Sequence, residues 1–533
     1  MITDLAFASP LLILATVGIL ALMAGVLSPR DTSTRWLGYV VSFGTLVALG
    51  SVWWLWDQPS IAFSTPSMAN ALTFDHFGLA LSAVIMIGAI LTTLTAVDYL
   101  PAQDADHHEY YALIAFCTLG MVALVTAGDL LTVFVALEVM SIGVYVLAGF
   151  KRQSAFATES AMKYFILGSF ASALLLLGIA FIYGVTGEIT LTGIRSAFHF
   201  QDGPAADPLA SIGMALIVAA FAFKVAAAPF HMWIPDVYEG ALSSVTGFMA
   251  VAVKTAAFGA LARILLTCFG DEAFRHGALS WDLMVAALAA ASMLIGNLMA
   301  LSQTNLKRML AYSAVAHTGY ILLALIAVPP GEVGVNALGG GLVLYLLGYT
   351  LANAAAFAVA SALGGDDVED ISEPAYAGLA RRAPGLAFVL AVAMLSLLGI
   401  PATAGFIGKL TIFSELLNDP AWLWLVVFAV VNSVISAWYY LRVILVAYMK
   451  DETGQMRLIT SRSLRLAAGL ATALTLAVGL LPGRAIDASV DAGKSLARTT
   501  TPGLSGALPS SEPRAALLAS PDAPAPLRAK ALQ

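Results

Sequence analysis

Charge is scarce in this chain of 533 residues: Asp, Glu, Lys and Arg together make up 11% of it, against 60% hydrophobic residues. A soluble globular domain carries about 25% charge, so water is not the main solvent of this fold. Cysteine is almost missing as well. The two cysteines, Cys117 and Cys268, lie inside apolar runs and read as small core residues. With no CxxC or haem-attachment spacing, the chain is expected to hold no iron–sulfur cluster, haem or other metal of its own. No basic stretch interleaved with aromatics is present, so nucleic acid is not an expected partner. There is no GxGxxG after a strand, no P-loop and no nucleophile elbow, which removes the sequence support for nucleotide binding and hydrolysis. The net charge of −7 is mild and says little about partners. His107 and His108, in the loop Asp104–Glu109, read as part of a solvated polar loop rather than a metal site.

What the chain has in abundance is apolar runs of bilayer-crossing length. About 20 apolar residues cross the hydrocarbon core as a helix. Lipid leaves backbone groups no partner but one another, which admits helices or closed barrels. The runs lack the alternation of barrel strands. The expected fold is therefore an all-α polytopic membrane protein with about fourteen spans, at 5–28, 36–56, 75–99, 109–127, 129–149, 160–184, 209–235, 243–268, 281–301, 308–328, 335–363, 384–417, 421–449 and 463–482. Residues 1–482 would form the bundle. Residues 483–533, rich in Ala, Pro and Ser, are expected to be a loosely ordered tail. Met1–Leu27 has no basic n-region and carries Asp4, so it reads as a retained first helix.

Basic residues set the orientation. With a periplasmic N-terminus, Arg30, Arg35, Lys151, Arg152, Lys307, Arg308, Arg381, Arg382, Lys450, Arg457, Arg462 and Arg465 fall on one side, and only Arg195 and Arg275 on the other before the tail. Both termini are then expected in the periplasm of a bacterial inner membrane.

Two spans are interrupted by proline, at Pro229 in the run from Phe223 to His231 and at Pro401 in the run from Gly399 to Lys409. Interrupted helices at membrane depth line polar cavities or are buried in protein. In corresponding positions they point to inverted repeats with a site at the midplane. The breaks fall in spans 7 and 12, which predicts five-helix repeats over spans 4–8 and 9–13.

Ionisable groups inside spans are costly and are functional by default. Lys224 and Lys254 lie deep in spans 7 and 8, and Lys409 follows the break in span 12. Arg263 and Arg442 sit towards span ends, where they could snorkel. Glu138 is the only carboxylate of Leu130–Val146, and Lys224 is its expected partner. A buried lysine balanced between pairing and desolvation can load and release a proton, which arginine cannot. His317 in span 10 reads either as a hydrogen-bonded core residue or as a relay between half-sites. Asn297, Asn353 and Asn432 either support water in the same seam or simply bond helix to helix. Lys163 reaches the interface or tunes the Glu138–Lys224 pair. His231, with Asp236 and Glu239, reads as part of a cytoplasmic polar mouth.

The run Phe223-Lys224…Pro229-Phe230-His231-Met232-Trp233-Ile234-Pro235-Asp236-Val237-Tyr238-Glu239-Gly240 resembles the hallmark of the proton-translocating, antiporter-like subunits of respiratory complex I. So do Gln303–Ser313 and Gly399-Ile400-Pro401…Gly405-Phe406-Ile407-Gly408-Lys409. The ending Asp236–Gly240 is most similar to the subunit N branch, rather than L or M. The resemblance, over roughly 75–450, implies a fourteen-helix fold with two inverted repeats. It implies a proton path through Glu138, Lys224, Lys254 and Lys409, with His317 connecting the halves. It implies sister antiporter-like subunits as partners. NADH, FMN, iron–sulfur clusters and quinone would be handled by other subunits, so the enzyme label, NADH:quinone oxidoreductase, belongs to the assembly. The tail is longer than the resemblance requires. Alternatives sharing the core are a multisubunit cation/proton antiporter and a ferredoxin- or hydrogenase-linked complex. A static membrane scaffold is the remaining one.

Overall fold

The computed structural model describes residues 2–29, 33–58, 61–62, 71–200, 207–270, 272–275, 280–327, 340–364, 371–451 and 458–500. Arg30, Arg457 and the tail beyond 500 lie outside them. The principal helices are α1 (Ser9–Leu27), α2 (Arg35–Trp56), α3 (His76–Ala102), α4 (Glu109–Val125), α5 (Leu130–Ala148), α6 (Ala155–Thr186), α7 (Pro208–Val225), α8 (Ile234–Gly240), α9 (Ser243–Cys268), α10 (Trp281–Leu301), α11 (Leu306–Ile326), α12 (Gly340–Leu363), α13 (Pro384–Leu398), α14 (Ala404–Leu416), α15 (Leu423–Met449), α16 (Arg462–Leu480) and α17 (Gly483–Thr500). A short antiparallel pair, Ile61–Ala62 with Thr73–Phe74, leads into α3.

Polar side chains in the apolar sequence mark where helices begin. Asp75, Asp129, Ser154 and Asn305 each accept a hydrogen bond from a first-turn N–H of α3, α5, α6 and α11, satisfying donors that a helix start leaves open. By length and apolarity 12 described helices can cross a membrane, or 13 counting the pair Glu373–Arg382 and Pro384–Leu398, bent by 120°. The expected fourteen is not reached on that measure. Glu109–Val125 has 17 residues, and the break at 399–403 divides span 12 into pieces of 15 and 13 residues. Lengths read from composition run through such breaks.

α9 and α11 are buried on every side and α12 nearly so. Around them, α5 exposes Leu131, Val135, Val139, Ile142 and Val146, and α15 exposes Val427, Val431, Val434 and Trp438. Such apolar outer faces fit lipid or a membrane neighbour, not water.

The start of the supposed loose tail is ordered. α17 follows α16 directly and buries Ala492, Leu496 and Ala497, and Ser495 Oγ accepts a hydrogen bond from Phe77 N at 2.9 Å. Alanine and small polar residues, which read as disorder by composition, here make an amphipathic helix that packs on the starts of α3 and α12.

Candidate functional site

α7 ends where Ala226 takes a left-handed conformation (φ 60°), so the chain turns out of the helix three residues before Pro229. Several of the backbone groups freed at this depth find partners. Ala228 N donates to Ser292 Oγ (2.8 Å), Trp233 Nε1 to Phe223 O (3.2 Å), and Thr318 Oγ1 donates to Val225 O (2.6 Å). That accounting is what lets a helix break survive inside an apolar bundle. A left-handed alanine costs about 1–2 kcal/mol. Ala226→Gly is therefore expected to raise the Tm of the purified complex slightly and Ala226→Val to lower it; a Tm raised by valine would contradict this geometry.

Lys224, the last residue but one of α7, is 4% exposed. Its Nζ donates to Ser141 Oγ (2.8 Å) and Tyr145 OH (3.0 Å), both on α5. Lys254, 3% exposed, directly follows a π-helical turn at Met249–Val253 and donates to Ala314 O (2.6 Å) and Thr318 Oγ1 (2.9 Å) of α11. π-turns recur at functional sites because they re-aim a side chain within an otherwise regular helix. Thr318 thus touches Lys254 with its oxygen and the carbonyl beside Lys224 with its proton.

His317, the next residue on α11, has Nδ1 2.8 Å from Tyr345 OH and Nε2 2.9 Å from Tyr440 OH. Tyr440 OH lies 2.5 Å from Ser313 Oγ. A neutral imidazole offers one donor and one acceptor, and each hydroxyl does both, so the cluster is fully satisfied in either sense. Tyr320, one turn on, packs edge-on against His317, and its ring lies 4.8 Å from Lys409 Nζ. Lys409, 6% exposed, donates to Leu397 O (3.1 Å) and Leu398 O (2.9 Å), the open carbonyls where α13 ends on Gly399 (φ 89°). A cation fits there because the carbonyls carry the negative end of the helix dipole. Asn297 bonds to Tyr439, Tyr320 and Asn432 beside this position, whereas Asn353 only returns to Tyr349 O of its own helix.

The geometry thus aligns Lys224, Lys254, His317 and Lys409, with α11 supplying the connecting groups. Other expectations are corrected. Glu138 does not touch Lys224 directly: Ser141 and Tyr145, on the same stripe of α5, hold the ammonium, while the Glu138 charge acts on it from beyond ion-pair distance and Glu138 Oε1 is buried without a hydrogen-bond partner. Lys163 does not reach that pair. It binds Asp236 (2.7 Å) and Glu159 (2.6 Å), and Arg308 binds Asp236 (3.1 Å) and Glu239 (2.6 Å). Burial pushes the Asp236 carboxyl up, but the hydrogen bond and charge of Lys163, with Arg308, hold it below its ordinary value. His231 is half-buried in the turn beside exposed Met232, apart from the row.

Arg263 does not snorkel. It forms a bidentate pair with Asp75, at 2.9 and 2.7 Å. Arg442 pairs with Glu373, which also binds Lys450 at 2.8 Å. Lys307, counted as a loop cation, is fully buried and donates to Ala241 O at 2.5 Å. The tyrosines and Thr318 carry no sequence signal beyond being polar atoms in apolar spans.

Residues 127–436 match the model of the NADH:quinone oxidoreductase/Mrp antiporter transmembrane family. Over 456 residues the chain is 42% identical to the NADH-quinone oxidoreductase subunit N 1 of Sorangium cellulosum, covering 83% of this chain and 89% of that one. It is 39% identical over 443 residues to the subunit N of Trichlorobacter lovleyi, with 83% and 87% covered. A chain of respiratory complex I from Thermus thermophilus with bound aureothin is similar at 33% identity and a TM-score of 0.75, covering 91% of this chain and 100% of that one. A chain of the Mrp complex of a Dietzia species shares the fold at 22% identity and a TM-score of 0.78, with 94% and 98% covered.

Proposed function

This chain belongs to the NADH:quinone oxidoreductase/Mrp antiporter transmembrane family, as a subunit N of respiratory complex I, and on that premise we propose that Lys224, Lys254, His317 and Lys409 carry its protons. The observation that supports this is the row itself: three buried lysines without a carboxylate in ion-pair contact among the described residues, linked by Thr318, His317 and the tyrosines. A buried lysine bonded only to hydroxyls and carbonyls can lose its proton, because no fixed anion locks the charge in place. Two charged lysines on neighbouring helices repel, so a proton arriving at one favours release at the next. His317, between two phenols, passes a proton by taking it on one nitrogen and giving it from the other. Glu138, one turn before Ser141 on the same stripe of α5, supplies a carboxylate that water can bridge to Ser141 and so to Lys224. The two breaks then correspond, each in the fourth helix of inverted repeats over spans 4–8 and 9–13.

The chain makes and breaks no bonds of substrate. NADH, FMN, iron–sulfur clusters and quinone belong to other subunits, and sister antiporter-like subunits cover the flanks. Residues 1–482 form the membrane bundle. It lies in a bacterial inner membrane, with the ion-paired face of Lys163, Asp236, Arg308 and Glu373 towards the cytoplasm and both termini in the periplasm.

The test is Lys254→Met, which keeps length and apolar packing but cannot hold a proton. In inverted vesicles energised with NADH, pumping per NADH oxidised is expected to be largely lost, since methionine cannot take or give a proton at this position. Unchanged pumping from an assembled complex would falsify the row.

A further inference from the structure

α14 carries a second ionisable side chain besides Lys409. Glu415, near its far end, is half-buried and makes no hydrogen bond or ion pair among the described residues. Its place follows from how α14 packs antiparallel on α12. Gly348 backs onto Ala404, Gly408 onto Tyr345, and Gly341 onto Glu415. Glu415 Oε2 lies 2.8 Å from where a Cβ on Gly341 would stand, so the absent side chain at 341 leaves the space that the carboxylate fills. Gly341 and Tyr345 are four residues apart on one helix face, and Tyr345 holds His317. The carboxylate therefore sits about one helical turn beyond the His317 cluster.

It also sits at the right end of the bundle. The other end of α12 is tied to the basic loops: Ile459 N donates to Ala362 O (2.9 Å), and Leu306 N, beginning α11, to Ile371 O (2.8 Å). The Glu415 end lies opposite, under α17, where the Gly340 Cβ position is 3.1 Å from Ser489 O.

We propose that Glu415 is the release group of the path's second half, handing protons from the His317–Tyr345 cluster to water beneath α17, on the face away from the basic loops. It rests on the proton-row reading above. The step balances: His317 first takes a proton from the lysine row, an O–H bond forms on the carboxylate as one breaks on Tyr345 or an intervening water, the cationic His317 reprotonates Tyr345 and returns to neutral, and the Glu415 proton leaves as hydronium. Both carriers return to their starting state. A carboxylate with no fixed cation partner suits this task, because nothing pins it in the charged form.

The experiment uses the whole complex in NADH-energised inverted vesicles, with Lys224→Ala as reference. Glu415→Gln, near-isosteric but unable to ionise, is expected to lower pumping per NADH oxidised to the Lys224→Ala level, and Glu415→Asp to restore at least half of wild type. Gly341→Ala, which pushes a methyl into the carboxylate's space, is expected to fall between. Wild-type pumping by Glu415→Gln beside a defective Lys224→Ala overturns this proposal and leaves the row standing. Normal pumping by both overturns the two together. An aspartate variant as poor as the glutamine shows a packing role, and likewise overturns the release role. If Glu415→Gln does not assemble, the Gly341→Ala result decides, and wild-type pumping there counts against the proposal.

Discussion

Replacing Lys224 by alanine is expected to abolish NADH-driven proton pumping while the complex assembles and still oxidises NADH with an artificial acceptor. Among the described residues Lys224 bonds only to Ser141 Oγ and Tyr145 OH, and those hydroxyls can turn to water once the ammonium is gone. The loss is thus of a carrier, not of a structural ion pair, and NADH oxidation then proceeds without pumping. Lys224→Arg sharpens the point. A guanidinium stays protonated at any working pH, so a static role for the charge would survive the change, whereas a loading and unloading role would not. Equal loss in alanine and arginine variants supports carriage. Retention in arginine with loss in alanine would return Lys224 to a structural role, in keeping with a membrane scaffold.

The row was legible because charge in an apolar run is conspicuous. Lys224, Lys254 and Lys409 stood out as soon as the spans were drawn, and His317 beside them. What the runs concealed was partnership. Glu138 and Lys224 match as opposite charges, and Glu138 does share the α5 stripe of Ser141 and Tyr145, but those two hydroxyls take the direct contact and leave the carboxylate to act from a distance. Tyr145, Tyr345 and Tyr440 read as ordinary aromatics, since a tyrosine in a span is as often a belt residue as a hydroxyl donor; only packing puts two of them on the nitrogens of His317. Lys307 reads as a loop cation because the apolar run of span 10 begins only at 308. The Asn305 side chain in fact caps α11, so the helix has already begun and buries Lys307 against Ala241 O. The tail failed for the opposite reason: alanine-rich sequence was read by composition, while its spacing buries one face of α17.

Asp75→Ala is expected to prevent accumulation of the assembled complex, the largest stability effect anticipated outside the row. Asp75 and Arg263 are 188 positions apart in sequence and meet through two parallel hydrogen bonds, with side chains 1% and 4% exposed. Arg263 also donates to Val125 O at 3.1 Å, and Asp75 caps α3 through Gly78 N at 2.8 Å. The pair therefore ties the start of α3 to the end of α4 and the last turns of α9. Removing the carboxylate leaves a guanidinium buried without its anion, which costs about 3–5 kcal/mol, and a lost cap adds about 1 kcal/mol. The same physics predicts a rescue. Apolar replacement of both partners removes the stranded charge, so Asp75→Ala with Arg263→Met is expected to recover most of the assembly that Asp75→Ala loses. Blue-native gels and Tm of the detergent-purified complex read both outcomes. Normal assembly in the single variant would mean that water reaches Arg263, and that this end of the bundle is open rather than sealed by the pair. A double variant no better than the single one would place the loss in the α3 cap instead of the unpaired charge.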